Sequence, residues 1–239
     1  MHLKLKLIKN LFKKYQIAKV LFKCEYNKTM NKRLIAIGDI HGEIDKLNSL
    51  LDKISPKKSD TLVFLGDYID RGNNSKEVIS TLIKLKKSTN CIFLMGNHED
   101  MLLRTKETRK EEDISFWLFN GGITTLDSYG DYVNTFKTHG NFFENLKLYY
   151  STDKFLFVHA GIRPDKPLDE QEKQDFLWIR DNFINHKHQL KQKVIFGHTI
   201  FDEPHIEEDK IGINTGCGID EDGYLTAYIC NENEFIRSD

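Results

Sequence analysis

The chain has 239 residues, 39% hydrophobic and 30% charged, a globular composition that fits one large α/β domain or one domain with an insertion. The formal net charge of −1 excludes a whole-chain bias toward nucleic acid, although ten basic groups against one acid give residues 1–33 a charge of +9 and leave −10 on the remainder. No run of 18 apolar residues occurs, and Cys24, Cys91, Cys217 and Cys230 form no C-x-x-C pair, which argues against a membrane span, a zinc ribbon and a secreted disulfide framework.

Such scattered thiols fit a reducing compartment, and a cytoplasmic location is expected. Residues 3–23 place Ile8, Leu11, Phe12, Tyr15, Ala18 and Phe22 at helical spacing, with lysines on the other face. A basic amphipathic helix of this kind can rest weakly on an anionic membrane surface. The plainer readings are a solvated extension or a start site upstream of Met30. Lys13, Lys14, Lys19 and Lys23 interrupt every apolar segment that a signal peptide would need. The expected organisation is an extension over 1–29 and one domain over 30–239.

From Arg33 the pattern becomes regular. Residues 34–37 predict a strand, and Leu47, Leu50 and Leu51 predict a helix over 43–54 that Pro56 stops. A second strand over 61–65, a helix over 76–87 and a third strand over 91–95 follow. This order predicts parallel strands with right-handed crossovers, and in such sheets ligands sit beyond the carboxyl ends of the strands. Residues 101–154 break the alternation. Helices are expected over 101–109 and 115–119, a turn at Gly121-Gly122 and a short helix over 141–148. This stretch reads as a helical insertion beside the site and as the main contributor to substrate choice. Strands resume at 155–158, 194–196, 211–213 and 224–229.

Five polar blocks directly follow apolar runs: Gly38-Asp39-Ile40-His41-Gly42, residues 66–72 (Gly-Asp-Tyr-Ile-Asp-Arg-Gly), Gly96-Asn97-His98-Glu99-Asp100, His159-Ala160-Gly161 and Gly197-His198-Thr199. One block alone is no more than a turn or a buried histidine. Five in this order bring Asp, Asn and His donors to five strand ends, a set suited to two hard or borderline cations. A carboxylate can bridge two cations, while imidazole and amide oxygen complete the shells without adding charge. Two such ions can clamp a phosphoryl group, which points to metal-assisted phosphoester hydrolysis. Asp39 and His41 can face one cation, Asp67 is the natural bridge, and Asn97, His159 and His198 can complete a second site.

The Gly-Asp-x-x-Asp-Arg-Gly block at 66–72 and Gly-Asn-His-Glu at 96–99 closely resemble the PPP family of calcineurin-like metallophosphatases, within it the lambda-type phage and bacterial serine/threonine phosphatases. The resemblance runs from about residue 33 to the C-terminus. It extends to Trp117-Leu118-Phe119-Asn120-Gly121-Gly122 and Leu177-Trp178-Ile179-Arg180-Asp181. It implies an α/β fold, a metallophosphoesterase β-sandwich of mixed sheets flanked by helices. It implies Asp39, His41, Asp67, Asn97, His159 and His198 as ligands of two divalent ions (Mn, Fe or Zn). It also implies His98 as the general acid, Asp70 as the residue that orients it, and Arg71, Arg180 and Asn97 as holders of phosphate oxygens. The expected reaction is in-line attack on a phosphoserine or phosphothreonine ester, or a small phosphoester, by a metal-bridging hydroxide.

Two positions depart from that pattern, and the loop 219–223 lacks the usual glycine pair. Met95 stands where many relatives have Arg, and Asn214 where Asp is common, which bears on substrate choice more than on metal binding. A symmetrical diadenosine tetraphosphatase would use the same metals. Asp70 and Glu99 favour the phosphatase. A non-catalytic phosphate-binding module predicts lost ligands, and the sequence retains them all. His186-x-His188 reads as part of a solvated helix.

Overall fold

The computed structural model describes residues 32–239. The expected N-terminal extension and its amphipathic helix lie outside the described residues. In chain order the elements are β1 (Leu34–Ile37), α1 (Ile44–Ile54), β2 (Thr61–Phe64), α2 (Ser75–Leu85), β3 (Asn90–Phe93), α3 (Asn97–Thr108), α4 (Glu111–Trp117), a kinked segment (Leu118–Gly122), α5 (Ile123–Tyr129) and α6 (Tyr132–Glu144). They continue as β4 (Tyr149–Ser151), β5 (Phe155–Val158), α7 (Lys173–Trp178), α8 (Asp181–Ile184), β6 (Lys193–Phe196), β7 (His205–Ile206), β8 (Lys210–Gly212), β9 (Asn214–Thr215), β10 (Tyr224–Ile229) and β11 (Glu234–Arg237).

The strands form two mixed sheets, the metallophosphoesterase sandwich expected from the sequence. One runs β11-β10-β1-β2-β3, with β9 paired to β10. The other runs β4-β5-β6-β8-β7. The expected β-α-β-α-β unit is present: β1 pairs parallel to β2, and β2 to β3.

Period-2 geometry explains why these strands are apolar on both faces. Ile35 and Ile37 of β1, with Leu62 and Phe64 of β2, pack on α1 and α2. Ala36 and Val63 point the other way, against Phe157, Ile195 and Ile211 of the second sheet. Leu156, Val158, Val194 and Phe196 face the outer layer, where Phe176 and Phe183 cover them. The result is helix, sheet, sheet, helix. α1 buries Leu47, Leu50 and Ile54, then stops at Ser55, whose left-handed backbone (φ 45°) returns its N–H to Leu51 O. Cutting a fully buried leucine such as Leu47 to alanine costs about 2–5 kcal/mol.

The insertion departs from expectation at its end. The helix lies over Tyr132–Glu144, not 141–148. Asp131 caps it, its Oδ1 accepting from Asn134 N at 2.7 Å. Residues 146–148 are drawn out of the helix because β3 recruits their backbone. Met95 N donates to Lys147 O at 2.8 Å, and Lys147 N to Phe93 O at 3.1 Å. Gly121-Gly122 is a kink within helical structure rather than a free turn, with Gly121 at φ 104°. The expected solvated helix around His186-x-His188 is also absent: His188 is buried, its Nε2 is 2.9 Å from Asp209 O, and its ring stacks on Phe183.

Candidate metal and phosphate site

Each polar block sits where a strand hands over to a loop or helix. Asp39 and His41 follow β1, Asp67, Asp70 and Arg71 follow β2, and Asn97 and His98 open α3 after β3. His159 follows β5, and His198 follows β6. Eight non-glycine residues among those described have positive φ, and five of them are His41, Asp67, Asp70, Arg71 and His198. Such backbone costs of order 1–3 kcal/mol per residue, and it persists only where surrounding bonds hold it. The site is therefore pre-shaped by the fold.

Asp67 is central. Its Oδ2 lies 3.6 Å from His41 Nε2 and 3.5 Å from His159 Nε2. His41 Nδ1 lies 3.0 Å from Ile69 O, and His159 Nδ1 lies 2.9 Å from Leu65 O. A carbonyl only accepts, so both Nδ1 atoms carry the proton and both Nε2 atoms present bare lone pairs to one carboxylate oxygen. His159 Nε2 and His198 Nδ1 also converge on Asn97 Oδ1, at 2.9 and 3.0 Å. The bare His159 Nε2 and the Asn97 oxygen face each other with lone pairs, which repel unless a cation lies between them.

The donor atoms of Asp67, His159 and His198 fall within 4.8 Å of one another, and so do those of His41, Asp67 and His98. Asp67 belongs to both groups. Asp39 lies in neither, but it is fully enclosed beside them. Its Oδ2 accepts from His198 N at 2.9 Å and from Asn214 Nδ2 at 2.8 Å. Its Oδ1 is buried without a hydrogen-bond partner among the described residues, as is His198 Nε2. A Cβ at Gly197 would collide with that same Oδ1. Buried polar atoms without partners cost about 1–3 kcal/mol each, so their presence fits a site made for ions. The donors are oxygen and imidazole nitrogen without thiolate, a set that divalent Mn, Fe or Zn accepts.

Protonation divides the four imidazoles. Burial, with the charge of His98, pushes His41 down to about 3. Burial likewise lowers His159 and His198. All three are thereby held neutral, the form that binds metal. His98 differs. Burial opposes its charge, but Asp67 and the bond to Asp70 outweigh it, and its pKa is raised. Its Nδ1–H donates to Asp70 Oδ2 at 2.8 Å. Burial also opposes ionisation of Asp67, yet the positive charge that the surrounding imidazoles take up when protonated holds its carboxyl below the usual range. Burial and the nearby Asp67 raise Asp39.

Arg71 and Arg180 are exposed. Arg71 bears electrostatically on His41 and His98, and Arg180 on Asp39, His159 and His198. Both therefore lie near enough to the cluster to act on its charges. Neither guanidinium has a hydrogen bond or ion pair among the described residues. Trp178 lies edge-on to His198 at 6.1 Å and, with Phe116, walls a cavity of about 300 Å³.

Two residues have a structural role that the sequence reading did not assign. Glu99 is fully buried, and its carboxylate accepts four backbone N–H groups: Asp67 at 2.9 Å, Gly96 at 3.0 Å, Tyr68 at 2.8 Å and Ile69 at 3.3 Å. It holds the strained Asp67 loop. The signal was its place in Gly-Asn-His-Glu, three residues after Gly96, a capping-box spacing. Asn214 is the other. Its amide donates to Asp39 where an aspartate would repel it, so this departure bears directly on the ion site.

Comparison with known proteins agrees with this geometry. The calcineurin-like phosphoesterase family model matches residues 32–235. The chain is 31% identical over 209 residues to serine/threonine-protein phosphatase 2 of Salmonella typhimurium, covering 80% of this chain and 91% of that one. It is 28% identical over 231 residues to the asymmetrical bis(5'-nucleosyl)-tetraphosphatase PrpE of Halalkalibacterium halodurans, covering 84% and 91%. Among solved structures, a cold-active protein tyrosine phosphatase superposes with TM-score 0.62 at 17% identity, over 86% of this chain and 78% of that one. Ligand-type side chains at five strand ends, on this sandwich and across this match, place the chain in the calcineurin-like phosphoesterase family, whose members use divalent metals.

Proposed function

We propose that the protein is a two-metal phosphomonoesterase acting on phosphoserine or phosphothreonine in proteins. The observation that carries this reading is the single Asp67 oxygen set between two bare imidazole nitrogens, at 3.6 and 3.5 Å, beside the His98–Asp70 pair. Asp39, His41 and Asp67 would hold one ion, and Asp67, Asn97, His159 and His198 the other. When bound, the ions neutralise phosphoryl charge and lower the pKa of the attacking water. The chain's own residues do the rest. Arg71 and Arg180 hold phosphoryl oxygens through charged hydrogen bonds. Water adds to phosphorus as the ester oxygen leaves, and His98 gives that oxygen its proton, so the products are an alcohol and phosphate. Asp70 keeps the imidazole turned and favours its protonated form.

The relative from Salmonella supports a protein substrate. The exposed Phe116, Phe119 and Ile123 lie on the insertion whose Gly121 O accepts from Arg71 N, an apolar rim suited to a peptide flank. The buried free thiols of Cys91, Cys217 and Cys230 agree with a cytoplasmic setting. Among the described residues no helix is long and apolar enough to cross a membrane.

The PrpE relatives favour a second reading, hydrolysis of dinucleoside tetraphosphate, in the asymmetrical form rather than the symmetrical one weighed as the alternative from sequence. One purified, metal-loaded sample assayed on phosphoserine peptide and on diadenosine tetraphosphate separates them. A kcat/KM higher on the peptide supports the first reading, and the reverse order supports the second.

A further inference from the structure

The segment 117–125 belongs to the insertion, yet it reaches the centre of the site. Trp117 is buried, and its Nε1–H donates to Asp70 Oδ2 at 3.0 Å. Thr125 is fully buried, and its hydroxyl donates to Asp70 Oδ1 at 2.6 Å. The same hydroxyl accepts from Asp70 N at 2.9 Å and lies 3.0 Å from Ser75 Oγ. That uses one donor and two acceptors, the full capacity of a hydroxyl. Asp70 is thus held by three side-chain donors. One is His98 itself, and the other two come from 47 and 55 residues down the chain.

The Trp-Leu-Phe-Asn-Gly-Gly run thereby gains a physical purpose. A Cβ at Gly122 would collide with the Trp117 indole, so only glycine lets the ring lie against the kink. Gly121 O accepts from Arg71 N at 3.2 Å, the residue after Asp70. Both Asp70 (φ 69°) and Arg71 (φ 71°) are in the left-handed region and need such support.

We propose that Trp117 and Thr125 are positioning residues for proton delivery: they orient the Asp70 carboxylate, which orients His98. The proposal rests on His98 acting as the acid in the proposed function. It differs from a packing role in what it predicts. A lost positioning bond harms esters whose leaving oxygen needs a proton and spares those whose leaving group does not.

The test uses Trp117→Phe and the near-isosteric Thr125→Val in the full chain, loaded with manganese. Substrates are phosphomonoesters graded in leaving group, from alkyl and phenyl to 4-nitrophenyl phosphate, with phosphoserine peptide alongside. For the alkyl ester we expect kcat to fall about 10–100-fold, the usual cost of losing a partner that orients an active group. The fall on 4-nitrophenyl phosphate should be at least several-fold smaller, so the rate depends more steeply on leaving-group pKa than in the wild type. Metal content and phosphate inhibition should stay at wild-type levels. Equal losses across the series, or loss of metal, would overturn the proposal in favour of packing. Wild-type slopes in both variants would overturn it too. The wild-type rate on phosphoserine peptide separately decides the substrate reading, so the two can fail independently.

Discussion

Replacing Glu99 with glutamine tests whether one buried carboxylate holds the Asp67 loop. Each oxygen of Glu99 accepts two backbone N–H groups, Oε2 from Asp67 and Gly96 and Oε1 from Tyr68 and Ile69. In Glu99→Gln one oxygen becomes an amide NH₂, which cannot accept. Two N–H groups then lose their acceptor inside the protein, and the other two keep a neutral one. Burial and the nearby Asp67 push Glu99 up to about 8, but four N–H groups fill both its oxygens and leave a carboxyl proton no acceptor, so the geometry holds the ionised form. A hydrogen bond to a charged group contributes about 1.5–3 kcal/mol, and the 3.3 Å Ile69 bond is the weakest of the four. Losing either pair, with partial relaxation, predicts a destabilisation of about 3–5 kcal/mol, a large share of the roughly 5–15 kcal/mol of a typical domain. Urea unfolding in excess chelator, followed by fluorescence of Trp117 and Trp178, measures this without contribution from bound ions. Manganese affinity of the folded fraction should also fall, because Asp67 leaves its φ of 50° when its N–H is released. A stability loss below about 1 kcal/mol would refute the reasoning, since the four donors would then have found other acceptors.

Four further outcomes are expected. His98→Asn should lower turnover of phosphoserine peptide by ~10²–10⁴ while metal content holds, and a lost metal would instead make His98 a ligand, as its place near His41 and Asp67 allows. Asp67→Asn should lose both ions and activity, and elemental analysis showing full occupancy would defeat the bridging role. Arg180→Ala should keep the ions and weaken inhibition by phosphate by about 1.5–3 kcal/mol, a lost charged hydrogen bond; unchanged inhibition would remove Arg180 from the site. The last outcome concerns pH. Burial raises the Asp60 pKa, but bonds from Arg33 (2.6 Å) and Lys57 N (2.8 Å) outweigh it, and the net shift is downward. A carboxyl lowered on folding stabilises above its unfolded pKa and loses that contribution as pH falls through the folded value. The stability gap between wild type and Asp60→Asn should therefore be full near pH 7 and close below about pH 4. A gap that stays constant down to pH 2 would contradict it.

The sequence by itself determined the parallel β-α-β-α-β unit of β1, β2 and β3 and the strand ends that carry the polar blocks. Both are local signals. Strands buried on two faces leave continuous apolar runs, and a chain leaving such a run must turn, which Gly-Asp and Gly-Asn blocks announce. His41, Asp67 and His98 were legible because their spacing from those runs is short, and family resemblance supplied their expected roles. The tertiary structure alone decided who holds whom. Trp117 and Thr125 reach Asp70 across 47 and 55 residues of chain, and Asn214 reaches Asp39 across 175. No periodicity encodes such pairs, because the partner is set by packing after the helices dock. The same reason moved the last helix of the insertion. Asp131 supplies a local start signal, but its end is decided by β3, whose free backbone groups take Lys147 as a neighbour. Edge strands need partners, and which segment satisfies them is a property of the folded whole.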